Sequence, residues 1–377
     1  MTQLRPFPKG QTPARLNARG IDFSDYKKID YQVARKGKDY LETCCSLATH
    51  LDEVACEKLA AGHQLSACRF SYKAAALYRI AHYGLLEFDE EKAALYQKEL
   101  EIFSRALALD SRFSAERTEI PYKNGQLVGW LMKPSNCSDD VPVVIATGGI
   151  TGFKEEVHYV ITHFLERGIA VLNIDGPGQG ETFYHYNIGV EPESEQAHEV
   201  MIDYLLNRAD VGNDIALYGL CMGGLLVART AAAHRDKVKA IISMGGGYEL
   251  SSCIKEHPQF EAVFAYRGNV AIEDIYPFVD RFAMNTLSTK VDCPLLIIHN
   301  RPDFLIPSSN VKRIYEEATT TDKQQVFFKG SEHNAHNANA EACALAADWL
   351  VERLFNRQAT ITPTTQTKQA DLDLVTG

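Results

Sequence analysis

The sequence predicts an α/β protein: a mostly parallel central sheet flanked by helices, preceded by a helical N-terminal segment. Three observations predict it. Residues 25–110 are dominated by Ala, Leu, Glu and Lys, with apolar residues three and four apart and few Gly or Pro, which is helical periodicity. From about Ser114 short apolar runs alternate with helical stretches, the texture of a doubly wound sheet. Several of these runs are apolar at every position, as parallel strands covered on both faces must be.

Within the helical segment, Phe70, Ala74, Leu77, Ile80 and Ala81 trace one stripe between Ser66 and Tyr83. Cys44-Cys45 falls in the same helical texture and reads as packing. Strands are expected over residues 117–121, 127–132, 141–146, 170–174, 215–218, 238–244, 294–299 and 325–329. The stretch 248–290 lacks a clear strand and reads as a small lid insertion. The expected organisation is a helical cap at 1–113 and a core at 114–357. A flexible tail rich in Thr, Gln and Asp is expected at 358–377.

Composition narrows the function. The 377 residues hold 39 Lys+Arg against 49 Asp+Glu, a net charge of −10, so the basic face of a nucleic-acid binder is not expected. With 45% hydrophobic and 23% charged residues, the chain has ample core material and is not a disordered one. The N-terminus shows no apolar leader core and no apolar run approaches about 18 residues, so neither a secretory signal nor a membrane span is expected. Nine scattered cysteines without C-x-x-C spacing indicate neither a disulfide framework nor a zinc site. A reducing cytoplasm is the expected location.

The chemical signal is Gly219-Leu-Cys221-Met-Gly223-Gly224, between the strand at 215–218 and helical sequence from Leu225. A sharp strand-to-helix turn with flanking glycines is the setting of a nucleophile elbow. The helix N-terminus beside the sulfur favours thiolate over thiol, and the Met222 N–H is available as an oxyanion donor. Against this stands a buried cysteine acting as a small apolar residue.

A nucleophile needs a base and the base an orienting acid. The strand at 294–299 runs into Asn300-Arg-Pro-Asp303-Phe-Leu-Ile-Pro307, and Asp303 is the expected acid rather than a loop cap. The strand at 325–329 leads to Gly330-Ser-Glu-His333-Asn-Ala-His336. His333 is the expected base, with His336 behind it. The order nucleophile, acid, base along the chain is that of the α/β-hydrolase fold.

The second oxyanion donor is expected after the strand at 141–146, in Thr147-Gly148-Gly149-Ile150-Thr151-Gly152, from the N–H of Gly149 or Ile150. A dinucleotide loop fails there because position 147 is Thr. Asp175-Gly-Pro-Gly-Gln-Gly180 lacks the Lys-Ser/Thr ending of a phosphate loop and shows no helix signal after it, so it reads as a tight turn. Gly245–Gly247 reads as a strand-end turn bordering the site. No cofactor and no metal ligand set are expected.

The array resembles the FrsA-like esterases, the α/β-hydrolase group of 2,6-dihydroxypseudooxynicotine hydrolase-like enzymes. The residues that carry the likeness are the helical N-terminal segment around Ala75–Tyr83, Gly148-Gly149-Ile-Thr before Lys154-Glu-Glu, Asp175-Gly-Pro-Gly-Gln-Gly, the elbow, Asp303 and His333. The resemblance implies a helical lid over the site, chemistry on esters or on C–C bonds beside ketones, and a triad of Cys221, Asp303 and His333. Two departures stand out. The elbow holds Cys where these relatives generally have Ser, and Thr151 stands near where the nicotine-pathway relative carries a carboxylate.

The expected function is therefore a hydrolase acting through an acyl-enzyme on an apolar or aromatic carbonyl compound: an ester, thioester, lactone or diketone of polyketide-like character. Because a thioester passes its acyl group readily to other nucleophiles, an acyltransferase, cyclase or lyase of natural-product biosynthesis is the alternative, with a carrier-bound acyl chain among its substrates. A binding protein that has kept only the fold is a third. Tyr72, Tyr78, Tyr83, Phe183, Tyr184 and Tyr248 could line a pocket, though packing is the first reading of each. A homodimer, lid motion and any part for His336 or Thr151 are left open.

Overall fold

The structure is a computed structural model that describes residues 5–8, 11–355 and 364–369. The chain divides into two compact units, Met1–Ala115 and Glu116–Gly377. In the first, helices Tyr40–Ala60, Gln64–Tyr83 and Glu90–Leu109 follow one another. Asp39 and Asp89 cap the first and third, accepting from the N–H groups of Glu42 (3.0 Å) and Lys92 (2.8 Å). The middle helix buries nearly every residue of its second half, including Tyr78, Arg79 and His82, so it forms the centre of this unit. Its two polar side chains share one carboxylate: Glu99 accepts from Arg79 (3.4 Å) and pairs with His82 Nε2 (2.7 Å).

The second unit is built on nine strands. These are β1 (Phe113–Tyr122), β2 (Gly125–Pro134), β3 (Val143–Thr147), β4 (Ala170–Asp175), β5 (Ile215–Leu220), β6 (Ala240–Met244), β7 (Leu295–Arg301), β8 (Lys323–Lys329) and β9 (Thr364–Gln369). They lie in one sheet in the order β1-β2-β4-β3-β5-β6-β7-β8-β9. β2 meets β4 antiparallel, and from β4 to β9 every neighbouring pair is parallel. β3 through β6 are buried at every position, as two-sided cover requires.

Order reverses at β3, which has β4 on one side and β5 on the other. The crevice beyond the carboxyl ends of such neighbouring strands is where open α/β sheets place ligands. Register makes this specific: Thr147 pairs with Gly219 and Leu220 with Met244. The loops after β3, β5 and β6 therefore leave the sheet side by side.

Two expectations need adjustment, at 175–180 and in the tail, while 248–290 lacks a strand as expected. The turn at 175–180 is followed by a helix after all, Gly180–Tyr186. It is too short, at seven residues, to show a periodic stripe. The stretch 248–290 holds helices Ser251–Glu256, Gln259–Gly268 and Ile275–Asp280 and no strand. Within the expected tail, Thr364–Gln369 adds β9 to the edge of β8. The rest of that tail lies outside the described residues. Among the described residues no helix is long and apolar enough to cross a membrane.

Candidate active site

β5 ends at Leu220, helix Met222–Ala233 begins two residues later, and Cys221 makes the turn between them at φ 57°, ψ −121°. Such backbone in a non-glycine residue is strained and has to be held by its surroundings. The Cys221 N–H donates to the Met244 carbonyl at the end of β6 (2.8 Å), and the Cys221 carbonyl accepts from Gly224 N–H (2.9 Å). The glycines are needed for closeness: a Cβ on Gly219 would strike the Gly223 carbonyl, and one on Gly223 would lie 2.6 Å from the Gly148 oxygen.

The acid and base come from the next strands along the sheet. Asp303 follows β7 and is buried. Its Oδ1 accepts from the N–H groups of Leu305 (2.9 Å) and Ile306 (3.0 Å), and its Oδ2 from Asn300 Nδ2 (2.9 Å). The carboxylate also receives Nδ1 of His333, at 2.8 Å to Oδ2 and 3.1 Å to Oδ1. His333 follows β8, in the short 3₁₀ stretch His333–Ala338. Its Nε2 is buried without a nitrogen or oxygen partner, and its ring acts on the Cys221 sulfur by charge and hydrogen bonding. Gly245, at φ +67°, lets β6 end against this arm; a Cβ there would lie 3.5 Å from His333 Cε1 and collide with Asn334.

The electrostatics follow from these contacts. Burial raises the Cys221 thiol, but the His333 charge, its hydrogen bond and the Met222 N–H outweigh it, so the thiol titrates below its ordinary value. Burial lowers His333, yet the Cys221 thiolate and the Asp303 carboxylate raise it well above the usual imidazole range. Burial raises Asp303, and the His333 hydrogen bond and charge bring it down to about 2.

The loop after β3 lies against Cys221. A Cβ on Gly149 would sit 3.1 Å from Cys221 Cβ and 3.4 Å from Sγ. Among the described residues, the N–H groups of Gly149 and Ile150 donate to no other group of the protein. The Met222 N–H acts on the sulfur. All six residues singled out by the sequence, Cys221, Asp303, His333, Met222, Gly149 and Ile150, therefore gather at the carboxyl ends of β3, β5, β7 and β8. His336 is buried three residues beyond the base.

The aromatic residues do other work. Phe183 and Tyr184 flank the Arg267 guanidinium, at 5.1 and 4.6 Å from their ring centroids. Tyr248 is buried with its hydroxyl on Glu317 (2.9 Å). Tyr72 and Tyr78 are core residues of the first unit. Sequence reasoning missed three side chains. Asn300 holds Asp303 with its amide and accepts from Ser331 Oγ and Ala335 N–H (both 3.0 Å) with its carbonyl, tying the acid loop to the base loop. Phe304, 64% exposed, sets its ring edge-on to His333 at 5.9 Å. Gln179 bonds the loop after β3. Asn300 and Phe304 flank the acid in sequence, and that proximity was the available signal. Among the described residues no group of three or more His, Cys, Asp or Glu is placed to hold a metal ion.

A parallel sheet whose β5 ends in a nucleophile elbow, with an acid after β7 and a histidine after β8, defines an α/β-hydrolase. More narrowly, the chain belongs to the FrsA-like esterase family, whose profile, "Esterase FrsA-like", matches residues 14–355. It is 28% identical over 356 residues to the 2,6-dihydropseudooxynicotine hydrolase of Paenarthrobacter nicotinovorans, covering 94% of each chain. The crystal structure of a 2,6-dihydroxy-pseudo-oxynicotine hydrolase superposes with a TM-score of 0.84 at 27% identity, over 94% of this chain and 99% of that one. The hydrolyase poxO of Penicillium oxalicum is 29% identical over 213 residues, 53% of this chain and 50% of its own. AbyA5 shares the fold, with a TM-score of 0.65 at 18% identity over 81% of this chain and 88% of that one.

Proposed function

We propose that this hydrolase works through a Cys221–His333–Asp303 triad on an apolar or aromatic small-molecule carbonyl compound, by way of an acyl-enzyme. The carrying observation is the elbow: Cys221 strained at the tip of β5, with a buried imidazole beside its sulfur that is held at Nδ1 by Asp303. In this reading the thiolate attacks the carbonyl carbon and forms a C–S bond, while the carbonyl π pair moves onto oxygen. The N–H groups of Met222 and of Gly149 or Ile150 receive that oxyanion, each worth about 3 kcal/mol. Collapse expels the leaving group, which takes a proton from His333. Water then gives its proton to His333 and attacks the thioester, and the thiolate departs.

The exposed ring of Phe304 beside His333 favours an apolar or aromatic substrate. A relative named 2,6-dihydropseudooxynicotine hydrolase supports a small-molecule substrate. The lid role that the family resemblance implies for the N-terminal helical segment belongs to the same reading. The test is intact-protein mass spectrometry after exposure to aryl and alkyl esters, thioesters and lactones. An acyl adduct on the natural chain, absent from Cys221→Ala, together with at least a 10⁴-fold loss of turnover, is expected. Unchanged turnover in Cys221→Ala would sink the reading.

A second reading is favoured by the cysteine itself. A thioester intermediate transfers to amines, thiols and carbanions more readily than an ester, which suits acyl transfer from a small or carrier-bound donor. Decay of the adduct that accelerates with added acceptor, and yields the acceptor's acyl derivative, would favour transfer over hydrolysis.

A further inference from the structure

Gln179 lies in the turn after β4, on a different loop from any residue of the triad. It is 2% exposed. Its Nε2 donates to two consecutive carbonyl oxygens, those of Gly148 (2.7 Å) and Gly149 (3.0 Å), and its Oε1 accepts from the Gly176 N–H (3.0 Å). Every strong hydrogen-bonding direction of this amide is thereby engaged except one acceptor lone pair.

The consequence lies in peptide geometry. A peptide bond is planar and trans, so the N–H of one residue points opposite to the carbonyl of the residue before it. With the Gly148 and Gly149 carbonyls both turned to Gln179, the N–H groups of Gly149 and Ile150 are turned away from it. Neither of those donors has a partner among the described residues, and they belong to the loop whose Gly149 lies against the Cys221 side chain. A flexible glycine pair would not hold such an orientation alone.

Gln179 is itself held rigidly. Asp175, at the end of β4, accepts from the N–H groups of Lys154 (2.8 Å) and Glu181 (3.0 Å), joining the starts of helices Lys154–Leu165 and Gly180–Tyr186. The buried Lys154 ammonium lies 2.9 Å from the same carboxylate and 2.5 Å from Glu181. The turn that carries Gln179 is thus bounded by fixed charges.

We propose that Gln179 is a positioning residue: it presets the oxyanion-binding amides of Gly149 and Ile150 without touching the substrate. This rests on the Cys221 reading above and adds to it the group that sets the loop. Preorganised donors matter only for reactions that develop charge on a carbonyl oxygen, so the prediction separates two electrophiles aimed at the same sulfur. Iodoacetamide alkylates a thiolate without forming an oxyanion, whereas p-nitrophenyl butyrate acylates it through one.

The experiment compares both rates at Cys221 in the natural chain, Gln179→Glu and Gln179→Ala, with thermal melting as a check on folding. Glu keeps the size and the acceptor for Gly176 but cannot donate to the two carbonyls. We expect acylation to fall about 10²-fold or more in both variants, with kcat reduced and KM within about 3-fold, while alkylation stays within about 2-fold. Acylation unchanged in either variant, or acylation and alkylation falling together, overturns the assignment. A natural chain whose Cys221 is alkylated but never acylated overturns the reading of the site itself, and the two failures are thus told apart.

Discussion

Two buried basic side chains of the second unit, Lys154 and His333, meet their acidic partners differently. Lys154 faces three carboxylates, those of Glu155 (2.8 Å), Asp175 (2.9 Å) and Glu181 (2.5 Å), and Glu181 is further held by Arg117 at 2.8 Å. His333 faces one carboxylate, at 2.8 Å, and one sulfur. Around Lys154 the negative partners are in excess and their charge holds the proton on the amine. Around His333 one partner fixes the ring, and the other is an atom that can change its bonds. Surplus counter-charge makes a buried cation a fixture, whereas in the proposed reaction a single changeable partner is what leaves His333 free to exchange a proton.

Breaking the first site should give the larger effect. Lys154→Met leaves three buried carboxylates short of a cation and should cost about 3–5 kcal/mol of stability, read by urea denaturation. The iodoacetamide rate at Cys221 should stay within about 2-fold at a temperature where the variant is folded. A large fall in that rate would mean the two sites are not separate in role. His333→Ala comes next. It removes what holds the thiol down and leaves the burial that pushes it up, so the alkylation profile should move to higher pH. At pH 6 the natural chain should react about 10²-fold faster than the variant, and superimposable profiles would end the ion-pair account. Phe304→Ala sharpens the comparison least, by about 3- to 10-fold. It should raise KM for aryl esters more than for short alkyl esters; equal changes for both would remove the ring from substrate contact.

The legible and illegible parts of the site divide along the same physical line. That Cys221, Asp303 and His333 come together could be read because each follows a strand run and its signal is local: a turn flanked by Gly219 and Gly223, a carboxylate beyond β7, an imidazole beyond β8. The strands were legible for a similar reason, as continuous apolar runs fully covered on both faces. The links that Asn300 and Gln179 make could not be read, although Asn300 stands close to Asp303 in sequence. Their value lies in reaching across to another loop, 31 residues away for Gln179 to Gly148 and 35 for Asn300 to Ala335, and no local pattern encodes such a reach. β9 was hidden by its polar composition, since an edge strand can be held by backbone pairing alone.

The backbone at Cys221 also restricts which alphabet evolution can use at the nucleophile. At φ 57° a side chain branched at Cβ is crowded against its own peptide groups, so threonine is shut out although its hydroxyl is chemically equivalent to serine's. The position admits small side chains unbranched at Cβ, and among nucleophiles those are serine, cysteine and aspartate. One Oγ-to-Sγ exchange is then the shortest step open to this scaffold. It leaves the shape of the turn intact and, in the proposed reaction, makes the covalent intermediate a thioester instead of an ester.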